Sequence, residues 1–432
     1  MLEEHEKKFN RSFSLIPSEN VLSPLARLAF LSDSFSRYFY DEKNFFRYWR
    51  FEGGSLIGRV QQEILIPLLQ KVGRARHVNV RPVSGLSAMT QVLSAFSGEE
   101  ATLFSIPVAN GGHPETSYLA ERFGYRVIGV PFSDWAHVDL EALGRLVEQK
   151  HPSLVYLDHS TFLFPLELPP LVHTIREATK AAVHIHVDSS HINGLIWGGE
   201  LPNPLESGAD SYGGSTHKTF PGPHKAVLFT NNDDISDKFI EAGVRITSHH
   251  HTAEMVALAI SLVEFVECGG AIYAAQVCSN AIALAKHLRE RGFRISGEPW
   301  GFTKNHQVWI EPEGATAPVL ASKLFEAGLV VNPIDPLPSL NRPGLRLGVN
   351  EATRLGLKAS DMEMLSEFFA ALLLENRPVQ EVSLKVGEFR RLFRPEFCYQ
   401  GEIFEAKLAG LCSVFEDDRR RLAFKQRGEC IT

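Results

Sequence analysis

Between residues 75 and 230, short β-branched and aliphatic runs alternate with stretches whose apolar side chains recur every three or four positions. The first pattern predicts buried strands, the second amphipathic helices, and their alternation predicts a mainly parallel sheet covered by helices. The predicted strands are HVNVRP, ATLFSI, YRVIGVPF, SLVYLDH, AAVHIHVD and KAVLFTN. Helices such as LSAMTQVLSAFS, DLEALGRLVEQK and LPPLVHTIREATKA lie between them. A long apolar helix, AEMVALAISLVEFVE, then meets Gly269-Gly270, which reads as a hinge into a second unit. In that unit FRISGE, HQVWIEP and GLRLGV read as strands, and APVLASKLFEAG and ASDMEMLSEFFAALLLE as helices. The expected organisation is an N-terminal arm (1–30), a large α/β domain (31–270), a smaller C-terminal α/β domain (271–376) and a helical tail (377–432).

Composition narrows the function classes. The 432 residues are 44% apolar and 22% charged, with a net charge of −7 spread along the chain, so neither nucleic acid nor an anionic membrane is an expected partner. The N-terminus MLEEHEKKFNRSF lacks the apolar core of a secretory signal, and a cytoplasmic enzyme is expected. Cys268, Cys278, Cys398, Cys412 and Cys430 are odd in number and widely spaced, which predicts reduced thiols rather than a disulfide framework.

Open parallel sheets bind ligands where their strands end. HIHVDSSH puts Asp188 at the end of an apolar strand, and Lys218 follows thirty residues later in STHKTFPGP. A lysine and a carboxylate at neighbouring strand ends suit pyridoxal phosphate, the amine forming a Schiff base and the acid keeping the pyridine nitrogen protonated. A buried ion pair has the same signature, and spacing alone does not separate the two. Ser84 and Gly85, where a strand yields to a helix, suit a phosphate, because a helix N-terminus carries unclaimed N–H groups. His113 follows two glycines at another strand end, where its ring could lie against a cofactor or merely fill a turn.

Taken together, SLIPSENVLSP, SGLSA, GGH, VDSSHINGL, THKTFPGP and GLRLGV resemble the serine hydroxymethyltransferase family of fold-type I (aspartate aminotransferase-like) pyridoxal phosphate enzymes, over about residues 14 to 376. The resemblance implies pyridoxal 5'-phosphate as cofactor, with Lys218 as its Schiff-base lysine and Asp188 as partner of the ring nitrogen. His113 would stack on the ring, Ser84 and Gly85 would hold the phosphate with His217 nearby, and His191 and Ser160 would complete the pocket. Arg346 would grip the substrate carboxylate, with Ser18 and Tyr38 also at the substrate. The segment ITSHHHTAEM would meet the phosphate of a neighbouring subunit, implying a homodimer; its three consecutive histidines point different ways, so no metal is expected.

The pattern breaks at RYFYDEKNFFRYWRFEGG. Tyr38 is kept, but Tyr40 stands where the family has its folate-serving glutamate, and Phe51-Glu52 replace a Tyr-Tyr pair, so folate is doubtful. Glu52 could take over the acid role, and Phe45, Phe46, Tyr48, Trp49 and Phe51 either pack at a dimer interface or line a pocket for a bulky acceptor. SGEPWGFTKNHQVWIEP and GLRLGVNEATRLGL are closer in appearance to the L-threonine transaldolases, which cleave threonine and pass a glycine-derived carbanion to another aldehyde without folate. The expected substrates are thus an amino acid and an aldehyde acceptor, with His113 or Tyr38 taking the β-hydroxyl proton. The alternatives are a folate-dependent glycine/serine hydroxymethyltransferase, a relative diverting the carbanion to oxidation, decarboxylation or β-elimination, and a noncatalytic cofactor carrier.

Overall fold

A computed structural model describes residues 1–39, 51–312, 316–338, 340, 342–403, 405–410 and 413. Its centre is a seven-stranded sheet in the order β2-β8-β7-β6-β5-β3-β4. The strands are β2 (His77–Asn79), β3 (Thr102–Ser105), β4 (Arg126–Gly129), β5 (Leu154–Leu157), β6 (His184–Asp188), β7 (Ser211–Ser215) and β8 (Ala226–Thr230). Neighbours from β7 to β4 pair in parallel, while β8 runs antiparallel to both β7 and β2. β5 and β8 are buried throughout, which is why their sequences read as unbroken apolar runs.

The helices between these strands form where the sequence placed them. Gly85–Ala95 starts at a Ser84 capping box, and Leu140–Lys150 at an Asp139 cap whose carboxylate accepts the Ala142 N–H at 2.9 Å. Leu143 and Val147 of the latter and Leu171 and Ile175 of Leu168–Ala178 turn into the core. Each such side chain contributes about 1.5–3 kcal/mol by leaving water.

One central strand, β7, was expected only as the unbounded strand before Lys218. SYGGS has no apolar run, yet all five residues are buried. Its glycines answer a steric demand, since a Cβ on Gly213 would lie 2.1 Å from the Val227 carbonyl oxygen and one on Gly214 2.2 Å from Ser190 Oγ. Both hold positive φ, +155° and +144°.

A second, antiparallel sheet has the order β12-β13-β10-β9, from β9 (Arg294–Ile295), β10 (Gln307–Glu311), β12 (Asn332–Ile334) and β13 (Gly344–Gly348). Beside it β1 (Phe13–Ser14) pairs in parallel with β11 (Leu329–Val330), bringing the N-terminal segment back against residues far along the chain. Helices Thr252–Glu267 and Gly270–Glu290 meet at 83° about Gly269, whose φ is +92°. No single described helix is long and apolar enough to cross a membrane. Beyond residue 376, helix Val379–Arg390 packs on Met362–Leu373, with the Phe368 and Phe389 rings 5.9 Å apart.

Candidate active site

The C-terminal ends of β5, β6 and β7 and the first turn of helix Gly85–Ala95 enclose a cavity of about 200 Å³ lined by Gly85, His113, Asp158, Asp188, His191 and Lys218, among others. Ser160 and His217 also line it. Most of the residues singled out in the sequence therefore converge on one cleft.

β6 and β7 are adjacent, and Asp188 pairs with Gly213, so Asp188 and the lysine that follows β7 share one edge. Asp188 accepts the Ser190 N–H on Oδ1 and the Tyr156 hydroxyl on Oδ2, each at 2.9 Å. Burial brings the Lys218 amine down to about 8; Asp188 opposes that shift and Arg346 adds to it. The Lys218 carbonyl accepts from Asn20 Nδ2 at 2.6 Å and Asn350 Nδ2 at 3.3 Å. Next to it, the Thr219 hydroxyl donates to the His191 carbonyl at 2.9 Å and accepts the Gly194 N–H at 3.1 Å.

The histidines have assignable roles. His113 Nδ1 accepts the Glu115 N–H at 3.2 Å, which leaves its hydrogen on Nε2, and burial lowers its basicity so that the neutral ring persists. In that tautomer His113 offers a donor rather than a base, contrary to the proton-taking role expected of it. Burial holds His191 and His306 neutral, the latter at about 3. His306 Nε2 lies 3.2 Å from the Pro17 carbonyl, which can only accept, and 3.3 Å from His191 Nδ1. The His306 hydrogen therefore sits on Nε2, His191 Nδ1 is the acceptor, and His191 Nε2 carries a hydrogen suited to an anionic oxygen. His217 stacks on His224 at 3.9 Å, and burial lowers it to about 3.

Arg346 sits in β13 opposite both Trp309 and Asn332. Its Nε donates to Asn332 Oδ1 at 3.1 Å and its Nη1 to Thr161 Oγ1 at 2.8 Å. Burial lowers even this guanidinium to about 10, and among the described residues no carboxylate pairs with it. A buried arginine without an acid partner is suited to an anionic ligand. Ser160 closes the same corner, its carbonyl accepting from Gln307 Nε2 at 3.0 Å.

Ser84, Tyr38 and Ser18 do not line the cleft of their own chain. The Ser84 hydroxyl accepts the Ser87 N–H at 3.1 Å as the helix cap and keeps its own hydrogen to donate, while Gly85 and Leu86 after it line the cleft. Tyr38 is 39% exposed and lies outside the cleft of its own chain, because its hydroxyl donates to the Ser248 carbonyl at 3.0 Å and its ring stacks on His249 at 4.6 Å. Ser18 is only partly buried and does not line the cavity; its neighbours Pro17 and Asn20 make the contacts. Tyr40, Phe45, Phe46, Tyr48 and Trp49 lie outside the described residues. Of the histidine triplet, His250 turns inward to Gln61 Oε1 at 2.8 Å while His249 and His251 stack, and among the described residues no cluster is arranged to hold a metal.

Asn20, Tyr156, Asp158, Thr219 and His306 were not read from the sequence. Asn20, as the last residue of the SEN motif, and Thr219, inside THKTFPGP, had a usable signal.

Comparison with known proteins agrees with this geometry. The sequence profile described as "Serine hydroxymethyltransferase" matches residues 1–369. An L-threonine:uridine-5'-aldehyde transaldolase from a Streptomyces species is 40% identical over 368 residues, covering 84% of this chain and 89% of that one. A serine hydroxymethyltransferase from Sulfolobus acidocaldarius is 36% identical over 397 residues, 88% of this chain and 89% of that one. The crystal structure of L-threonine transaldolase from Pseudomonas fluorescens in internal aldimine state superposes with a TM-score of 0.86 at 26% identity, covering 94% of each chain. With its mixed, mostly parallel sheet and a lysine and carboxylate at adjacent strand ends, the chain belongs to the serine hydroxymethyltransferase family.

Proposed function

We propose that the chain is a pyridoxal 5'-phosphate-dependent L-threonine transaldolase, which breaks the Cα–Cβ bond of threonine, releases acetaldehyde and joins the remaining glycyl unit to an aldehyde acceptor. The observation that carries the cofactor assignment is the cleft itself: Lys218 and Asp188 on adjacent strand ends, with the first amides of a helix facing the same cavity. The cofactor supplies a carbonyl that condenses with amines and an electron sink for the carbanion left at Cα.

The chain's own groups do the rest. With its amine near 8, Lys218 is substantially neutral, hence nucleophilic, around pH 8. Asp188 accepts two hydrogen bonds that fix its carboxylate at the strand end, where it suits a ring nitrogen as partner. The helix amides of Gly85 and Leu86 suit a phosphate. The Nε2 hydrogen of His191 suits a phenolate oxygen. Arg346 is poised to fix the substrate carboxylate, which selects the bond that breaks.

The acceptor we infer is a nucleoside 5'-aldehyde, by likeness to relatives named for uridine-5'-aldehyde. We read the working unit as a homodimer, supported by a partly exposed ring cluster, His249 stacked on Tyr38 and His251 with Phe51 tilted against Tyr38, suited to another subunit's surface. The deciding experiment records the absorbance of purified protein and measures acetaldehyde from L-threonine with and without tetrahydrofolate. Cofactor absorbance with folate-independent acetaldehyde is the expected result. Turnover of serine that requires folate would replace this reading with the hydroxymethyltransferase.

A further inference from the structure

Asp158 is an acid of the cleft with no part in the chemistry above. It follows Leu157, which faces Val187 across the parallel ladder, so the next register position sets Asp158 beside Asp188. The residue is 2% exposed and lines the cleft with His113 and Lys218. Its Oδ2 accepts both the His113 N–H, at 3.1 Å, and the hydroxyl of buried Thr116. Its Oδ1 has no hydrogen-bond partner among the described residues. One carboxyl thus ties the end of β5 to both ends of the stretch from His113 to Thr116.

The surroundings make this grip consequential. The loop entering His113 is packed to contact, since a Cβ on Gly111 would lie 1.9 Å from the Thr161 carbonyl oxygen and one on Gly112 1.9 Å from that of Ile106. Burial raises the Asp158 carboxyl to about 7; the Thr116 hydroxyl opposes that shift and the charge of Asp188 adds to it. A buried acid with an unclaimed oxygen beside another acid is costly.

We infer that Asp158 is a positioning residue of the reaction, holding the His113 imidazole in place against the cleft through the His113 amide and the Thr116 hydroxyl. The inference rests on the transaldolase reading, because its effect is exerted through a ring that faces the cofactor site. Its physical content is that a small displacement of His113 lowers turnover more than it lowers substrate affinity; misplacement by ~1 Å is enough to cost ~100-fold.

The test uses holoenzyme carrying Asp158→Asn, Asp158→Ala or Thr116→Val, with kcat and KM for threonine cleavage, visible circular dichroism of bound cofactor and urea midpoint measured on each. An asparagine oxygen has two lone pairs, so Asp158→Asn keeps both bonds; it is expected to retain kcat within about threefold and the dichroic band. Asp158→Ala loses both, with kcat lowered roughly 10- to 100-fold, KM nearly unchanged and the band diminished. Thr116→Val loses one bond while keeping the packing volume, and is expected to fall between. Wild-type kcat and dichroism in Asp158→Ala, or in Thr116→Val should the alanine variant not fold, would overturn the inference. So would Asp158→Asn as impaired as Asp158→Ala, because the hydrogen-bonded grip would then not be what matters. Absence of cofactor absorbance or of acetaldehyde release in the wild type counts instead against the transaldolase reading.

Discussion

Replacing Arg346 by lysine keeps the charge and removes the planar fork. The arginine is held from two sides, by Asn332 through Nε and by Thr161 through Nη1, so its plane is fixed before substrate arrives. A lysine ammonium reaches a carboxylate as a point charge and cannot reproduce both tethers. Losing one charge-assisted hydrogen bond costs about 1.5–3 kcal/mol, and at about 1.4 kcal/mol per decade that is roughly a 10- to 150-fold rise in KM for L-threonine. Protonation adds to the loss. Burial already brings the guanidinium down to about 10. A lysine starts about two units lower than an arginine, so in the same place part of it is neutral at pH 8. The variant should therefore recover some affinity as the pH is lowered from 8 to 7. The assay is acetaldehyde release against threonine concentration, with the cofactor's absorbance as a control that the cleft is intact. A KM within threefold of wild type at pH 8, with normal cofactor absorbance, would refute the assignment of Arg346 as the carboxylate clamp.

Other outcomes follow from the same geometry. Ser84→Ala should lower stability by about 1 kcal/mol through loss of the helix cap, as read by thermal unfolding. Gly214→Ala should abolish cofactor binding or folding, because its Cβ would meet Ser190 Oγ at 2.2 Å on a backbone with φ of +144°; soluble, cofactor-loaded variant protein would contradict the close approach. In cofactor-free protein Lys218 titrates near 8 when folded and higher when unfolded. The unfolded chain then binds more protons between those values, so stability contributed at this site rises with pH through that window, by at most ~3 kcal/mol. Urea midpoints of cofactor-free wild type and Lys218→Met at pH 7, 8.5 and 10 should converge as the pH rises, and parallel curves would show that the amine is not desolvated.

The helices and most strands of the larger sheet were legible because their periodicity is carried by apolar residues whose burial is the dominant force. β7 was hidden for the opposite reason: its Gly213-Gly214 core has no side chain to bury, and only contact with Val227 and Ser190 explains it. Lys218, Asp188, His113 and His191 could be picked out because motif and strand end coincide, and Arg346 because GLRLG sets a charge between buried leucines. Tyr156 and Asp158 could not, since a tyrosine inside an apolar strand reads as a β-former and the importance of the acid depends on lateral register with Asp188 and on Thr116 folding back over it. The Ser84 hydroxyl caps the helix, a task the sequence alone does not separate from ligand binding at the same place.

The two asparagines on the Lys218 carbonyl come from opposite reaches of the chain, residue 20 and residue 350. During synthesis, the sheet strands and the lysine leave the ribosome well before Asn350, so a nascent chain has the reactive amine but only half of its brace. The active site is thus a late product of translation, completed only after the final strand of the smaller sheet has emerged and folded back over the larger one.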